Sequence, residues 1–287
     1  MTARESHHEG TSRWFVEGDP FVKWKSSAPD SLLWIHGKRG YMSPTCFHFP
    51  IFVELLISNS QLVRGKALSG MFIFLKFRRI NLRGLFSSTI VEDVLKMRKR
   101  GQASLAFFYC DFRDVHKKTL RGLLSSILLQ LCDHSDSYST ILSEFYSAHG
   151  DGSREPSDDE LIECLEDILR HPGQAPAYII IDGLDECPDT FGMPSPREKV
   201  LVFLERLVNL HLQNLHVCIT SRPEVDIQTT INPLPFRTVS LHDESGQGQD
   251  IVNYIRSTVY ADAKMERWRQ EDKEMVIDVL TDKADGM

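Results

Sequence analysis

Hydrophobic positions are sparse at the start of the chain: residues 1–31 are polar, with isolated aromatics at Trp14, Phe15, Phe21 and Trp24. That pattern predicts an extended lead-in that pins its rings onto a neighbouring surface. The run LLWIHG, 32–37, predicts a short buried strand ending in glycine. Regular patterning resumes at SSTIVEDVLKMRKR, 87–100, which has helical spacing, a basic last turn and Gly101 just beyond. LAFFYCDF, 105–112, reads as a strand, and TLRGLLSSILLQLC, 119–132, as a mostly buried helix. SDDELIECLEDILRH, 157–171, predicts a helix with Ser157 as N-cap, acids in the first turn, and Arg170 and His171 at its end. AYIIIDGLDEC, 177–187, is a β-branched strand running into an acidic turn. PREKVLVFLERLVNL, 196–210, predicts an amphipathic helix and LHVCITSRP, 215–223, another strand. FRTVSLHD, 236–243, alternates as a strand, while SGQGQDIVNYIRSTVY, 245–260, and 267–285 predict helices. Strands alternating with helices imply an α/β fold, a parallel sheet with helices on both faces. The sequence contains no internal repeat.

Residues 41–84 interrupt this order. They are rich in Phe and Ile, keep no period of 2 or 3.6, and contain one acid, Glu54. A membrane span needs about 20 consecutive apolar residues. Pro44, His48, Pro50, Glu54 and the polar 58–61 break the first apolar patch, and the second, MFIFLKF, is too short. No membrane span is therefore expected. Composition adds exclusions: 41% hydrophobic residues can build a core, and 33 basic against 40 acidic residues give a net charge of −7. That balance supplies no global positive field for nucleic acid or an anionic membrane. Cysteines 46, 110, 132, 164, 187 and 218 form no C-x-x-C pair and read as buried thiols in a reducing, cytoplasmic setting. The eleven histidines form no H-x-x-x-H or H-x-H set, which argues against a metal hydrolase. The polar N-terminus predicts no signal peptide.

The sharpest chemical signal is Ile179-Ile180-Ile181-Asp182-Gly183-Leu184-Asp185-Glu186. It places Asp182 at the C-terminal edge of a buried parallel strand, where open α/β sheets bind ligands. A carboxylate there can hold Mg²⁺ beside a nucleotide, and neighbouring acids can orient water. The same residues could instead form a solvated polar turn. Thr220-Ser221-Arg222-Pro223 ends the next strand, so Arg222 is either a surface arginine or a cation aimed at a γ-phosphate. A phosphate loop should follow the first strand. Gly37-Lys38-Arg39-Gly40 matches the front half of G-x-x-G-x-G-K-[ST], and Arg64-Gly65-Lys66-Ala67 matches its back half. Removing 41–63 and 68–84 joins these pieces to LFSSTIVEDV as a continuous loop and helix, with Ala67 in place of the final hydroxyl residue. The two stretches are accordingly expected to be insertions foreign to the fold, read here as translated introns. Codons for Gly70-Met71-Phe72 can contain GTATGT, and those for 58–61 can resemble a branch point and acceptor. The alternative is a genuine insertion loop, although structureless loops longer than about 15 residues are uncommon in compact domains.

In combination, GTSRWFVEGDPFVKW with SLLWIHGKRG, then STIVEDV, LAFFYCDFRD, YIIIDGLDEC, VCITSRPE and KADGM, resemble the NACHT-type NTPases of the STAND class, in their fungal NLR-like and nephrocystin-3-like group. The resemblance covers about 10–40 and 85–287. It implies a P-loop NTPase sheet binding ATP or GTP with Mg²⁺, as a signalling switch between an N-terminal effector and C-terminal repeat domains. Residues 1–31 would be the lead-in and 32–287 the NTPase domain, truncated at its C-terminal edge. By the same resemblance, Gly37, Lys38, Gly40, Gly65 and Lys66 would cradle phosphates. Asp182 would hold Mg²⁺ through water, Asp185 and Glu186 would position the attacking water, and Arg222 would sense the γ-phosphate. Protein partners through effector and repeat domains, and a homo-oligomer on activation, follow from it too. Residues 41–64 separate Gly40 from Gly65, so nucleotide binding by the uncut chain is expected to be weak or absent. A non-catalytic scaffold of the same shape, or a gene-model artefact without nucleotide binding, is the competing expectation. A cysteine nucleophile at Cys187 is disfavoured, because the neighbouring acids should raise its thiol pKa.

Overall fold

Five short runs rich in β-branched and aromatic residues pair into one all-parallel sheet. They are β1 (Ser31–His36), β2 (Ser104–Tyr109), β3 (Ala177–Asp182), β4 (Leu215–Ser221) and β5 (Phe236–Ser240), in the order β2-β3-β4-β1-β5. The structure, a computed structural model, describes residues 13–26, 31–37, 82–133, 135–190, 192–240, 252–253, 255–256, 259–260 and 265–284. The chain divides into two units: 15–36 with 83–240, which holds the sheet, and 1–14, 37–82 and 241–287.

β3 and β4 are buried along their whole length, as expected for parallel strands covered on both faces. Alternation sorts their side chains. Ile179, Ile181, Val217 and Ile219 share a core with Leu32, Trp34, Ala106 and Phe108, together with helices α4 (Leu120–Cys132), α6 (Asp158–Arg170) and α7 (Pro196–Val208). Helix α5 (Asp136–Ala148) adds the buried Tyr138 to this layer. On the opposite face, Tyr178 and His216 stack with their rings 4.5 Å apart, and Trp24 meets both edge-on. Trp24 Nε1 donates to the Val217 carbonyl at 3.1 Å, and His216 Nδ1 donates to the Trp24 carbonyl at 3.0 Å.

Trp24 lies on α2 (Asp19–Ser26), which follows the single turn α1 (Arg13–Val16). The lead-in is thus helical where it is described, rather than extended, while the pinning of its rings holds: Phe15, Phe21 and Trp24 are buried. An ion pair from Lys25 to Asp93 links α2 to α3 (Leu82–Lys99). α3 begins five residues before the helix expected from the pattern, inside the stretch 68–84.

Local chemistry sets the other helix ends. Ser157 and Ser195 each form a capping box, with Glu160 and Glu198, and Pro196 opens α7 where its missing N–H costs nothing. The exposed edge of β2 is closed by Gln130 of α4. Its side-chain amide donates to the Phe107 carbonyl at 2.8 Å and accepts from the Phe107 N–H at 3.1 Å.

In the other unit, Ile255, Val259 and Met265 form a small separate core with Val276, Ile277 and Leu280 of α9 (Gln270–Ala284), with Trp268 against it. Helix α8 (Val225–Ile231), back in the sheet-bearing unit, follows β4. Among the described residues, no helix is long and apolar enough to cross a membrane.

Candidate functional site

All strands point the same way, so their C-terminal ends gather along one edge. Tyr109 of β2 lies in register with Asp182 of β3, and His36 of β1 with Ser221 of β4. β4 therefore stands between the acid-bearing strand and β1.

Asp182 is 5% exposed. Its Oδ1 accepts hydrogen bonds from two fully buried hydroxyls, Ser87 Oγ on α3 and Thr220 Oγ1 on β4. The Gly183 N–H in turn donates to Thr220 Oγ1 at 3.0 Å. A buried carboxylate needs such donors, since an uncompensated charge there costs several kcal/mol. Ser87 thus ties the helix to the acid, and Thr220 ties the next strand to it.

Gly183 has φ of 72°, the left-handed conformation that glycine adopts without strain, and it turns the chain into the single 3₁₀ turn Leu184–Glu186. Leu184 anchors that turn in the core. Asp185 accepts from the Arg222 backbone N–H at 3.0 Å and pairs with Arg222 Nε at 3.3 Å. The Asp185 side chain is 6% exposed and that of Arg222 47%, so this pair is half-open to water. Just before it, Ser221 Oγ accepts from Trp34 Nε1 at 2.9 Å, fastening β4 to β1 at the same edge.

Arg197, in the first turn of α7, holds the turn from below. Its guanidinium donates to the carbonyls of Asp185 at 2.7 Å and Cys187 at 2.9 Å, and meets Asp226 at 3.2 Å and Asp189 at 3.4 Å. Two thiols complete the edge. Cys110 follows β2, with its N–H donating to the Asp182 carbonyl at 2.9 Å, and Cys187 follows the 3₁₀ turn. Interaction with the Cys110 thiol, with the Arg197 charge, draws the Cys187 thiol below its ordinary pKa, while burial, Asp185 and Glu186 act the other way. The acids push upward as expected, and it is the interaction with the other thiol that acts against them. The Cys110 thiol is raised, by its interaction with Cys187 and by burial.

The fold thus brings together Asp182, Asp185 and Arg222, with the half-buried Glu186 one residue on. Gly37 directly follows β1. Lys38, Gly40, Gly65 and Lys66 lie outside the described residues, as does most of 41–84. Ser87, Thr220 and Arg197 belong to the site without having been singled out by the sequence reading. Thr220 and Ser87 stood in quoted motifs, and only three-dimensional proximity to Asp182 marks them. Arg197 read simply as the start of a helix.

The donor chemistry fits a hydrated Mg²⁺. One buried carboxylate flanked by hydroxyls offers hard oxygen atoms, and Mg²⁺ binds through one or two carboxylates while taking the rest from water and phosphates. No cluster of three or more His, Cys, Asp or Glu able to hold a metal occurs among the described residues.

A five-stranded parallel sheet with helices on both faces and an acid at the end of β3 is an α/β architecture of the P-loop NTPase-like kind. Residues 84–222 match the family described as Nephrocystin 3, N-terminal, a span from early in α3 to the arginine that pairs with Asp185. No curated protein matches the chain. Solved structures that match include a chain of "Structure of Drosophila ORC bound to DNA", 11% identical with a TM-score of 0.36. That match covers 97% of this chain and 58% of the other, so the chain spans little over half of that protein's length.

Proposed function

We propose that the acidic edge is the metal and water half of a nucleoside triphosphate site, in a signalling switch of the NACHT-type STAND class. The observation that carries this reading is Asp182, buried at a strand end and held at once by the helix that follows the phosphate-loop position and by the strand that Arg222 directly follows. The match over 84–222 to the nephrocystin 3 N-terminal family supports it.

Asp182 and its two hydroxyls would hold Mg²⁺ through water. When bound, Mg²⁺ with ATP or GTP supplies charge neutralisation at the phosphates. The chain's own residues do the rest. Asp185 and Glu186 orient a water. Arg222, half-exposed at the strand end, exchanges Asp185 for the terminal phosphate. Gly37, Lys38, Gly40, Gly65 and Lys66 cradle the phosphates once 41–63 and 68–84 are removed. That removal sets Gly65-Lys66-Ala67 where Leu82-Arg83-Gly84 open α3. No acid lies in the first turn of α3, which suits an anion at its positive end. Effector and repeat partners, assembly with further copies on activation, and a cytoplasmic setting belong to this reading.

A second reading is a non-catalytic scaffold. The Arg222–Asp185 pair favours it, because it occupies the two groups hydrolysis would need. Titrating Mg-ATP and Mg-GTP into the uncut chain and into the version lacking 41–63 and 68–84 tests both. The switch reading predicts binding only in the shortened chain, weakened at least about tenfold by Lys66→Ala. No binding in the shortened chain, or binding unchanged by Lys66→Ala, favours the scaffold. Micromolar binding by the uncut chain contradicts the split cradle.

A further inference from the structure

We propose that Arg197 is a positioning residue that makes the acidic turn and the start of α8 one body, so that a change at either is carried to the other. All three nitrogens of its buried guanidinium are engaged. Nε and Nη2, which point the same way, donate to the Cys187 and Asp185 carbonyls at 2.9 and 2.7 Å. Nη1 reaches Asp226 Oδ2, in the first turn of α8, at 3.2 Å and Asp189 Oδ2 at 3.4 Å. A planar fork can hold carbonyls and carboxylates at once, whereas a lysine ammonium is a point charge on a flexible stem.

The residue is itself held in place. Ser195 and Glu198 cap α7 around it, and its backbone N–H donates to the Pro188 carbonyl at 3.0 Å. A buried guanidinium keeps its partners, because losing one leaves its charge poorly compensated.

These bonds close a ring. Asp185 is joined to Arg197 through its carbonyl and to Arg222 through its carboxylate. Residues 222–224 lead into α8, and Asp226 of that helix returns to Arg197. The two links differ in access: the Arg222 side chain is 47% exposed and that of Arg197 is 8% exposed. The outer link can open to water while the inner one stays shut. Arg197 therefore keeps Asp185 and α8 together when the Arg222 side chain turns to another partner. α8 and β5 are the last elements before the chain enters its other unit at 241, so the residue ties the acidic edge to the segment that leads out of the sheet. This inference rests on the hydrogen bonds of Arg197 and not on nucleotide binding, so it stands or falls separately from the switch reading.

The test is hydrogen–deuterium exchange of the nucleotide-free full chain, followed by mass spectrometry over 183–189, 222–231 and, as reference, 104–109 of β2. The Glu186 and Cys187 N–H groups, bonded within the 3₁₀ turn, report the first segment. Asp226→Asn removes the charge at the α8 end, while the buried Ile227 and Ile231 keep that helix seated. The expected result is exchange at least about threefold faster in 183–189 as well as in 222–231, with 104–109 unchanged. Arg197→Lys should speed both segments, and adding Asp226→Asn to it should bring no further gain in 183–189. If Arg197→Lys does not fold, Asp226→Asn alone decides. Faster exchange confined to 222–231 would overturn the proposal, since it marks a local ion pair that carries nothing to the turn. So would an equal rise in 104–109, or additive effects in the double variant.

Discussion

Thr220 occupies the joint of the site: one hydroxyl accepts from the Gly183 N–H and donates to Asp182. Replacing it with valine keeps the shape but leaves a buried N–H without that acceptor and removes one donor from a buried carboxylate. Thr220→Val should therefore lower the unfolding free energy by about 1–3 kcal/mol, read from urea denaturation. A loss below about 0.5 kcal/mol would mean that the network is not closed as described. At the other end of the strands, His216 is 3% exposed and stacked on Tyr178. Burial draws its pKa below the ordinary 6.5, and the bond to the Trp24 carbonyl only partly opposes this. The folded His216 is thus harder to protonate than the unfolded one. Its contribution is complete above about pH 6.5 and is lost as the pH falls below that value. Stability of the wild-type chain should decline more steeply between about pH 6.5 and 5 than that of His216→Phe. Parallel curves would contradict the burial of a neutral imidazole.

Among the elements, the strand carrying Asp182 was legible because its chemistry is local: four apolar, mostly β-branched residues from Tyr178 followed at once by acids match a buried strand reaching an edge. The Ser157 cap and the Pro196 start were legible for the same reason. α5 and α8 were not. α5 buries one residue fully, Tyr138, with Ile141, Leu142 and Phe145 only partly covered, so its apolar stripe is thin against many Ser and Thr. α8 is seven residues long, shorter than the window in which helical periodicity registers. The Arg222–Asp185 pair and the Ser87 bond were hidden as well, since contacts across long sequence separations leave no periodic trace. A local contact fixes the start of α4. A Cβ on Gly122 would stand 1.7 Å from the His116 carbonyl oxygen, because the 3₁₀ turn His116–Lys118 folds directly against the helix. Gly122→Ala should cost roughly 1–3 kcal/mol in chemical denaturation, as overpacking against backbone does. A neutral substitution would mean that this turn can move away freely.

At the scale of the molecule, the sheet-bearing unit and the small core around α9 are separate bodies of packing. The match over residues 84–222 falls wholly within the first. The net charge of −7 says little about ligands at this scale, because the acid that matters most is buried and held by hydroxyls, while Asp185 is paired with Arg222. In the proposed switch, function turns on one strand edge and on whether a phosphate cradle can assemble beside it. The most direct measurement is the Mg²⁺ dependence of nucleotide binding to the chain lacking 41–63 and 68–84, followed calorimetrically for that chain and for its Asp182→Asn variant. The account predicts saturable binding of ATP or GTP that weakens at least about tenfold when Mg²⁺ is chelated, and a variant in which adding Mg²⁺ gives no such gain. Equal affinities with and without Mg²⁺, or a full Mg²⁺ response in the variant, would contradict it.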